Sequence, residues 1–239
     1  MIIGVDMGAS AVKICALEGD RVAFTHYEHG RGGDMPALLE RLGAPVKYIP
    51  EPEAIGEGAC WLTGRDDLIV ASIGTGTAFV HAKGGRYIHL CGTGVGGGTL
   101  KGLAVKVLGV ANMREFDSLA MAGDCGRVDL LIGDFVESYG ILDPEITASN
   151  LARLNPEASR EDWAAGLANL VLQIIGTMSL LACTSSGAAG VAVIGALAGT
   201  EPSRANFAKF QRVYGKDFLI PEHSACATAI GAARRARCV

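Results

Sequence analysis

Three clusters of glycine interrupt the apolar stretches of this sequence, and they constrain its fold more than any other feature. The clusters are Asp6-Met-Gly-Ala-Ser10, Ile73-Gly-Thr-Gly-Thr77 and Gly92-Thr-Gly-Val-Gly-Gly-Gly98. The chain has 33 glycines among 239 residues, well above the ordinary usage of roughly 7%. Because glycine lets the backbone turn sharply or approach a ligand closely, clustered glycines indicate tight and functional turns.

The first two glycine clusters each lie between two stretches that favour strands. Apolar and β-branched runs bounded by turn residues predict strands at 2–5, 11–17, 21–28, 46–50, 67–73, 78–82, 87–90, 191–194 and 218–220. The order of strand, glycine turn and strand therefore occurs twice, about 70 residues apart. This repetition predicts an α/β protein of two lobes, with an N-terminal lobe over 1–66 and a C-terminal lobe over 67–239.

Helical spacing and capping signals predict the helices. Ser159 and Asp162 form a capping box, and the helix that follows has an apolar stripe from Trp163 to Leu181, typical of a core or dimer-interface helix. The predicted helices are 34–42, 54–62, 99–110, 163–181, 207–214 and 225–237, with short helices within 115–155. The last of them is expected to pack back toward the N-terminal lobe.

Charge and cysteine content exclude several other classes of protein. The net charge is −4, and the basic cluster of Arg234, Arg235 and Arg237 is interpreted as a solvated helix end, so no nucleic-acid partner is expected. Polar residues such as Asn169 and Gln173 within the most apolar stretch argue against a membrane span, and no signal peptide is evident. Seven cysteines without a CxxC pair predict reduced thiols in the cytoplasm.

The first glycine cluster has the chemistry of a phosphate-binding hairpin. Backbone N–H groups at Gly8, Ala9 and Ser10 can point at anionic oxygens. Asp6, at the end of the preceding strand, can hold Mg²⁺ through water, and Lys13 on the returning strand supplies a positive charge. A plain hairpin with an incidental aspartate is the alternative.

The second cluster can close on another phosphate. Gly74 and Gly76 allow the backbone to approach an anion, while Thr75 and Thr77 can donate hydroxyl hydrogen bonds. A tight turn alone does not need the two threonines, which favours the binding interpretation.

The third cluster opens a helix, whose N-terminus favours an anion at Gly96, Gly97 and Gly98. A dinucleotide-binding GxGxxG motif is rejected, because the cluster follows a hairpin strand and no βαβ unit with a suitable acidic residue follows it. A P-loop is absent because the sequence contains no GxxxxGK[ST].

Taken together, the three loops resemble those of the actin-like ATPase and sugar-kinase superfold, with its ribonuclease H-like lobes. That resemblance implies that ATP binds in the cleft between the lobes. It also implies that Gly195, after Val191-Ala-Val-Ile, contacts the adenosine.

Within the superfold the chain resembles the type II pantothenate kinases. The resemblance rests on the stretches Gly4-Val-Asp-Met-Gly8, Pro50-Glu-Pro-Glu-Ala54, Ile73-Gly-Thr-Gly-Thr77, Gly92-Thr-Gly-Val-Gly-Gly-Gly-Thr-Leu-Lys-Gly-Leu103, Ile146-Thr-Ala-Ser-Asn150 and Ala229-Ile-Gly-Ala232. It implies a cytoplasmic homodimer that phosphorylates pantothenate with ATP and Mg²⁺ in coenzyme A synthesis. It further implies that Glu51 is the general base, with Glu53 as the second choice.

Two departures from the family keep other functions open. His89 occupies the position of a family arginine that contacts substrate and the transferred phosphate, and histidine cannot form the same bidentate contact. The region between Leu42 and Glu51 is shorter than in the family. A degenerate ATP-binding regulator or scaffold is therefore the alternative to a kinase. An ATPase activator of a radical dehydratase would need a cluster-ligating cysteine pair, which is not evident.

Overall fold

The computed structural model describes residues 1–30, 45–135 and 143–237. Within these ranges the strands are β1 Ile2–Met7, β2 Ala11–Glu18, β3 Arg21–His29, β4 Asp67–Ile73, β5 Thr77–Lys83, β6 Arg86–Thr93, β7 Leu130–Leu131, β8 Thr147–Ser149, β9 Gly190–Ile194 and β10 Asp217–Leu219. The α-helices are α1 Glu51–Thr63, α2 Gly97–Leu108, α3 Met113–Ala122, α4 Arg160–Ser186, α5 Glu201–Tyr214 and α6 Ala227–Arg237. Short 3-10 turns cover Cys125–Arg127, Ile132–Asp134 and Ser224–Cys226.

Two sheets carry the predicted repetition. The first is the antiparallel meander β1-β2-β3, and the second has the order β10-β9-β4-β5-β6. In the second sheet β4, β9 and β10 are parallel, while β5 returns antiparallel to β4 and β6 returns antiparallel to β5, in two hairpins. The recurrence of strand, glycine turn and strand is thus confirmed, as is the mixed α/β fold class.

Helices α1 and α6 lie between the two sheets. Ala229 and Ile230 of α6 pack with Cys15 and Leu17 of β2, and α1 packs on the second sheet through Ile55. The C-terminal helix therefore covers the N-terminal sheet. The lobe boundary at residue 66 stays a prediction. Helix α1 precedes this boundary in the sequence, but it packs mostly on the second sheet and on α6, which both follow it.

The two helices approach each other closely because small residues line their contact. A Cβ added at Gly58 would lie 2.0 Å from the carbonyl oxygen of Ala227, and one added at Gly231 would lie 1.9 Å from that of Ala54. Any larger residue at these glycines must therefore separate α1 from α6.

The largest core lies on the other face of the second sheet, beneath α2 to α5. It joins Ile69 and Phe79 of the sheet to Leu167, Val171 and Ile175 of α4. By length and composition α4 meets the criteria for a membrane-crossing helix, but 56% of its apolar window is buried within the protein, as in the core helix of a globular protein.

The predicted capping box at the start of α4 is confirmed. The Ser159 hydroxyl accepts from the Asp162 N–H at 3.1 Å, and the Asp162 carboxylate accepts from the Ser159 N–H at 2.9 Å. The left-handed Gly187, with φ +71°, ends the helix.

Three local predictions need comment. The strand predicted at 46–50 is wrong, because this stretch pairs with no described strand in the structure. Val46 is 44% exposed and Tyr48 is 76% exposed. Helix α5 begins at Glu201 rather than 207, since Thr200 caps it. The helix predicted at 34–42 lies outside the described residues.

Candidate active site

The glycine loops meet at the carboxyl edge of the parallel strands of the second sheet. In α/β sheets this edge is where ligands usually bind. Gly195 follows β9 there with φ +98°, and a Cβ added to it would lie 2.2 Å from the carbonyl oxygen of Ile73 at the end of β4. Its N–H donates to the Ser224 carbonyl at 2.9 Å. Gly195 is thus required for the close approach of two strand ends.

A side-chain hydrogen bond joins the first and second glycine loops. The Ser10 and Thr75 hydroxyl oxygens are 2.8 Å apart, although 65 residues separate them in the sequence. Both residues are exposed. The first and second glycine loops therefore face one another and present two hydroxyls at one place.

Asp6 and Lys13 form the charged side of the first loop. The antiparallel register of β1 and β2 places them opposite each other, and the Lys13 ammonium donates to Asp6 Oδ2 at 2.9 Å. Their side chains are 20% and 12% exposed, respectively. A Cβ added at Gly8 would lie 3.0 Å from Lys13 Nζ, so glycine leaves room for the lysine to cross the turn. Beyond it, Ala9 is exposed at the tip.

The donor set around Asp6 fits a hydrated magnesium ion. Within the described part of the chain Lys13 alone donates to this carboxylate, which leaves Oδ1 available to water. Magnesium keeps several waters in nucleotide sites and needs few protein ligands. The described residues contain no group of three or more His, Cys, Asp or Glu side chains able to hold a metal by themselves.

The third loop binds the second loop directly. The Gly97 N–H donates to the Gly74 carbonyl and the Gly98 N–H to the Thr75 carbonyl, each at 2.9 Å. A Cβ added at Gly96 would lie 2.6 Å from the Gly76 carbonyl oxygen. The amides of Gly97 and Gly98, predicted to face a phosphate, therefore bind the second loop in this structure. Glycine at Gly96 allows the backbones of the second and third loops to approach each other closely.

Thr77 also has a structural partner. It is 4% exposed, and its hydroxyl donates to the Val95 carbonyl at 2.8 Å. The hydroxyl thus ties the start of β5 to the third loop. Of the two threonines in the second cluster, Thr75 is the one whose hydroxyl lies at the cleft surface.

Glu51 is the first residue of α1 and is exposed. Residues 64–66 connect the end of α1 to the start of β4, and the position of Glu51 beside the glycine loops stays a prediction. Glu53, the second choice of base, is bound at Oε2 by the Arg235 guanidinium, with an N–O distance of 2.6 Å. One carboxylate oxygen of Glu53 is thus already bound by the arginine.

His89 lies on the edge strand β6 and is exposed. Two residues earlier, Tyr87 packs on Gly56 of α1, and alternation along the strand places His89 on that same sheet face. The histidine is therefore on the face that carries α1, one step closer to the glycine-loop edge than Tyr87.

The arginines at the end of α6 are not a solvated cluster. Arg234 donates to Glu57 at 2.8 Å, Arg235 binds Glu53, and Arg237 donates to Asp20 at 3.1 Å. Sequence reasoning missed these pairs. The one available signal was that α1 carries three acidic residues near its start and α6 three basic residues near its end.

Cysteine placement gives no sign of an iron–sulfur site. Among the described residues Cys15, Cys183 and Cys226 are buried, and Cys91 is exposed on β6. Burial raises the pKa of Cys15 to about 11, with a smaller contribution from Cys226. The three buried thiols are typical of inert core cysteines.

Two sheets enclosing a helix pair, with glycine loops meeting at one edge, define the actin-like ATPase and sugar-kinase class. The fold is similar to that of the activator of 2-hydroxyisocaproyl-CoA dehydratase from Clostridium difficile, solved with bound ADPNP (TM-score 0.66, 17% identity, 98% of this chain and 93% of that one). It is similar as well to a ROK family glucokinase from Streptomyces griseus in complex with glucose and AMPPNP (TM-score 0.62, 15% identity, 99% of both chains). At these identities the likeness shows the fold.

The chain belongs to the Fumble family, which matches residues 67–232. It is 27% identical to the type II pantothenate kinase of Oceanobacillus iheyensis, over 96% of this chain and 97% of the relative. It is 25% identical to the type II pantothenate kinase of Staphylococcus saprophyticus, over 82% and 84%. The family resemblance read from the sequence is confirmed.

Proposed function

We propose that the protein is an ATP-dependent kinase that transfers a phosphoryl group to a hydroxyl of pantothenate, in coenzyme A synthesis. The observation that carries this proposal is the contact between Ser10 and Thr75, which brings loops of both lobes to one place. Relatives matched along nearly their full length are named type II pantothenate kinases, which supports the choice of acceptor.

The chain's residues divide the work of phosphoryl transfer between two sides of the cleft. When bound, ATP supplies the phosphoryl group and Mg²⁺ offsets its charge. Lys13 would place its positive charge beside the phosphates, and Asp6 would hold the magnesium ion through water. Ser10 and Thr75 exchange their mutual hydrogen bond for bonds to phosphate oxygens. Gly195 allows the backbone to approach the adenosine.

Glu51 accepts the proton of the acceptor hydroxyl. It is the carboxylate in the first turn of α1 that has no ion-pair partner within the described residues, whereas Glu53 is bound by Arg235. His89 takes the place of the family arginine and lacks its planar, bidentate hydrogen-bonding group.

The wider properties are part of the same proposal. We expect a cytoplasmic homodimer that uses Mg²⁺ and binds neither nucleic acid nor membrane. A net charge of −4 and the absence of a basic stripe support the expectation that no nucleic acid binds. Leu181 of α4, 65% exposed, is available for contact with a second copy.

Measurement of ADP release with ATP and pantothenate, pantetheine or small sugars tests the proposal. We expect turnover with pantothenate and a loss of about 100-fold or more in kcat for Glu51→Gln, with binding of an ATP analogue retained. Glu18→Gln is the matched control, since Glu18 pairs with Arg21 at the far end of β2.

Binding of the ATP analogue without turnover on any of these acceptors would overturn the kinase proposal in favour of a regulatory ATP-binding protein. Turnover with another acceptor alone would overturn the assignment of pantothenate.

A further inference from the structure

No side chain caps the N-terminus of α1. Its cap residue is Pro50, whose side chain cannot accept a hydrogen bond, and Pro52 within the first turn has no N–H to donate. Two backbone bonds, from the N–H groups of Glu53 and Ala54 to the Pro50 carbonyl, close the turn at 3.0 Å. The stretch before it, 45–50, is irregular and largely exposed.

The C-terminal helix supplies the missing support. Arg235 of α6 donates two hydrogen bonds to Glu53 Oε2, from Nε at 3.0 Å and from Nη2 at 2.6 Å. Its carbonyl oxygen accepts from the Lys47 ammonium at 3.4 Å. Residues on both sides of the proline cap are thus held by one residue of α6, 182 positions away from Glu53.

An aromatic ring completes this arrangement. The Arg235 guanidinium carbon lies 5.8 Å from the centre of the Tyr87 ring, and the Tyr87 hydroxyl donates to Glu57 at 2.8 Å. The ring rests on Gly56, where a Cβ would lie 2.1 Å from Tyr87 Cδ1. Glu53 and Glu57 are therefore both held, while Glu51 is exposed and has no such partner among the described residues.

We propose that Arg235 is a positioning residue for phosphoryl transfer, clamping the first turn of α1 through Glu53 and thereby fixing Glu51 at the cleft. This inference rests on the proposed function for the role of Glu51. The clamp itself is independent of that role. Since a displacement of about 1 Å at a catalytic group can cost roughly 100-fold in rate, loss of the clamp has a large effect on catalysis.

The test uses the full chain in four variants: Arg235→Gln, Arg235→Lys, Glu53→Gln and the double change to glutamine. Arg237→Gln is the matched control, because Arg237 lies on the same helix and binds Gly19 and Asp20 rather than α1. Hydrogen exchange at the backbone amides of 53–56 measures how firmly the contact between Arg235 and Glu53 holds the first turn of α1, and this measurement does not depend on enzymatic activity. Steady-state kinetics with ATP and pantothenate read the effect of this contact on catalysis.

We expect faster exchange at 53–56 and a 10- to 100-fold lower kcat in Arg235→Gln, with KM for ATP changed less than about threefold. Arg235→Lys should recover part of the rate, because lysine keeps one charge-assisted bond. The double variant should be no worse than either single one, since both changes remove the same contact.

Exchange at 53–56 that matches the wild type, or equal losses of ATP affinity, kcat and melting temperature, would overturn the positioning role. A wild-type protein without kinase turnover would overturn the proposed function instead, while the exchange measurement would still decide whether the clamp exists.

Discussion

Replacement of Gly195 by alanine tests whether the carboxyl edge of the second sheet is built as described. With φ +98°, the residue occupies backbone space that L-amino acids rarely adopt, and a Cβ would lie 2.2 Å from the Ile73 carbonyl oxygen. The strained dihedral costs about 1–3 kcal/mol, and the forced separation of two packed strand ends costs about 1–3 kcal/mol more. Together they amount to roughly 2–6 kcal/mol of a total stability that is commonly about 5–15 kcal/mol.

Urea unfolding followed by circular dichroism measures this loss. Gly199→Ala is the matched control, because Gly199 lies in the same connection and an added Cβ would meet only the Ser224 hydroxyl at an ordinary 3.6 Å. We expect Gly195→Ala to unfold at a clearly lower urea concentration than Gly199→Ala, and to bind an ATP analogue more weakly. Free energies of unfolding that agree within about 0.5 kcal/mol for the two variants would refute the reasoning.

Three further predictions concern the cleft and its surroundings. Thr75→Val keeps the shape of the side chain but removes the hydroxyl, so calorimetry should show roughly tenfold weaker ATP-analogue binding at nearly unchanged stability. His89→Arg restores a full charge and should raise kcat, which steady-state kinetics would detect. Burial raises the pKa of Asp117 from 3.8 to about 6, and the charge of Glu201 contributes less. The folded state therefore binds this proton more tightly than the unfolded state does. The stability that the proton provides is lost as the pH rises through about 6. Asp117→Asn should accordingly raise the melting temperature at about pH 8 and change it little at about pH 4.

Most of the secondary structure could be predicted from the sequence. The strands at 67–73 and 191–194, the α4 helix and its Ser159 cap depend on patterns within a few residues, and the structure contains them. The strand predicted at 46–50 failed for the opposite reason. Its residues favour a strand locally, but a strand forms only where a neighbour can pair with it, and none of the described strands does so.

The residues of the candidate site could be predicted from the sequence, but the contacts between them could not. Local patterns locate the glycine turns and the charged residues that accompany them, because turn chemistry and strand periodicity act within a few residues. The folded chain alone shows that the Gly97 and Gly98 amides bind the second loop, and that Arg235 pairs with Glu53 across 182 residues. Hydrogen bonds and ion pairs depend on ångström-scale separations, which packing of the whole chain sets and no local pattern records.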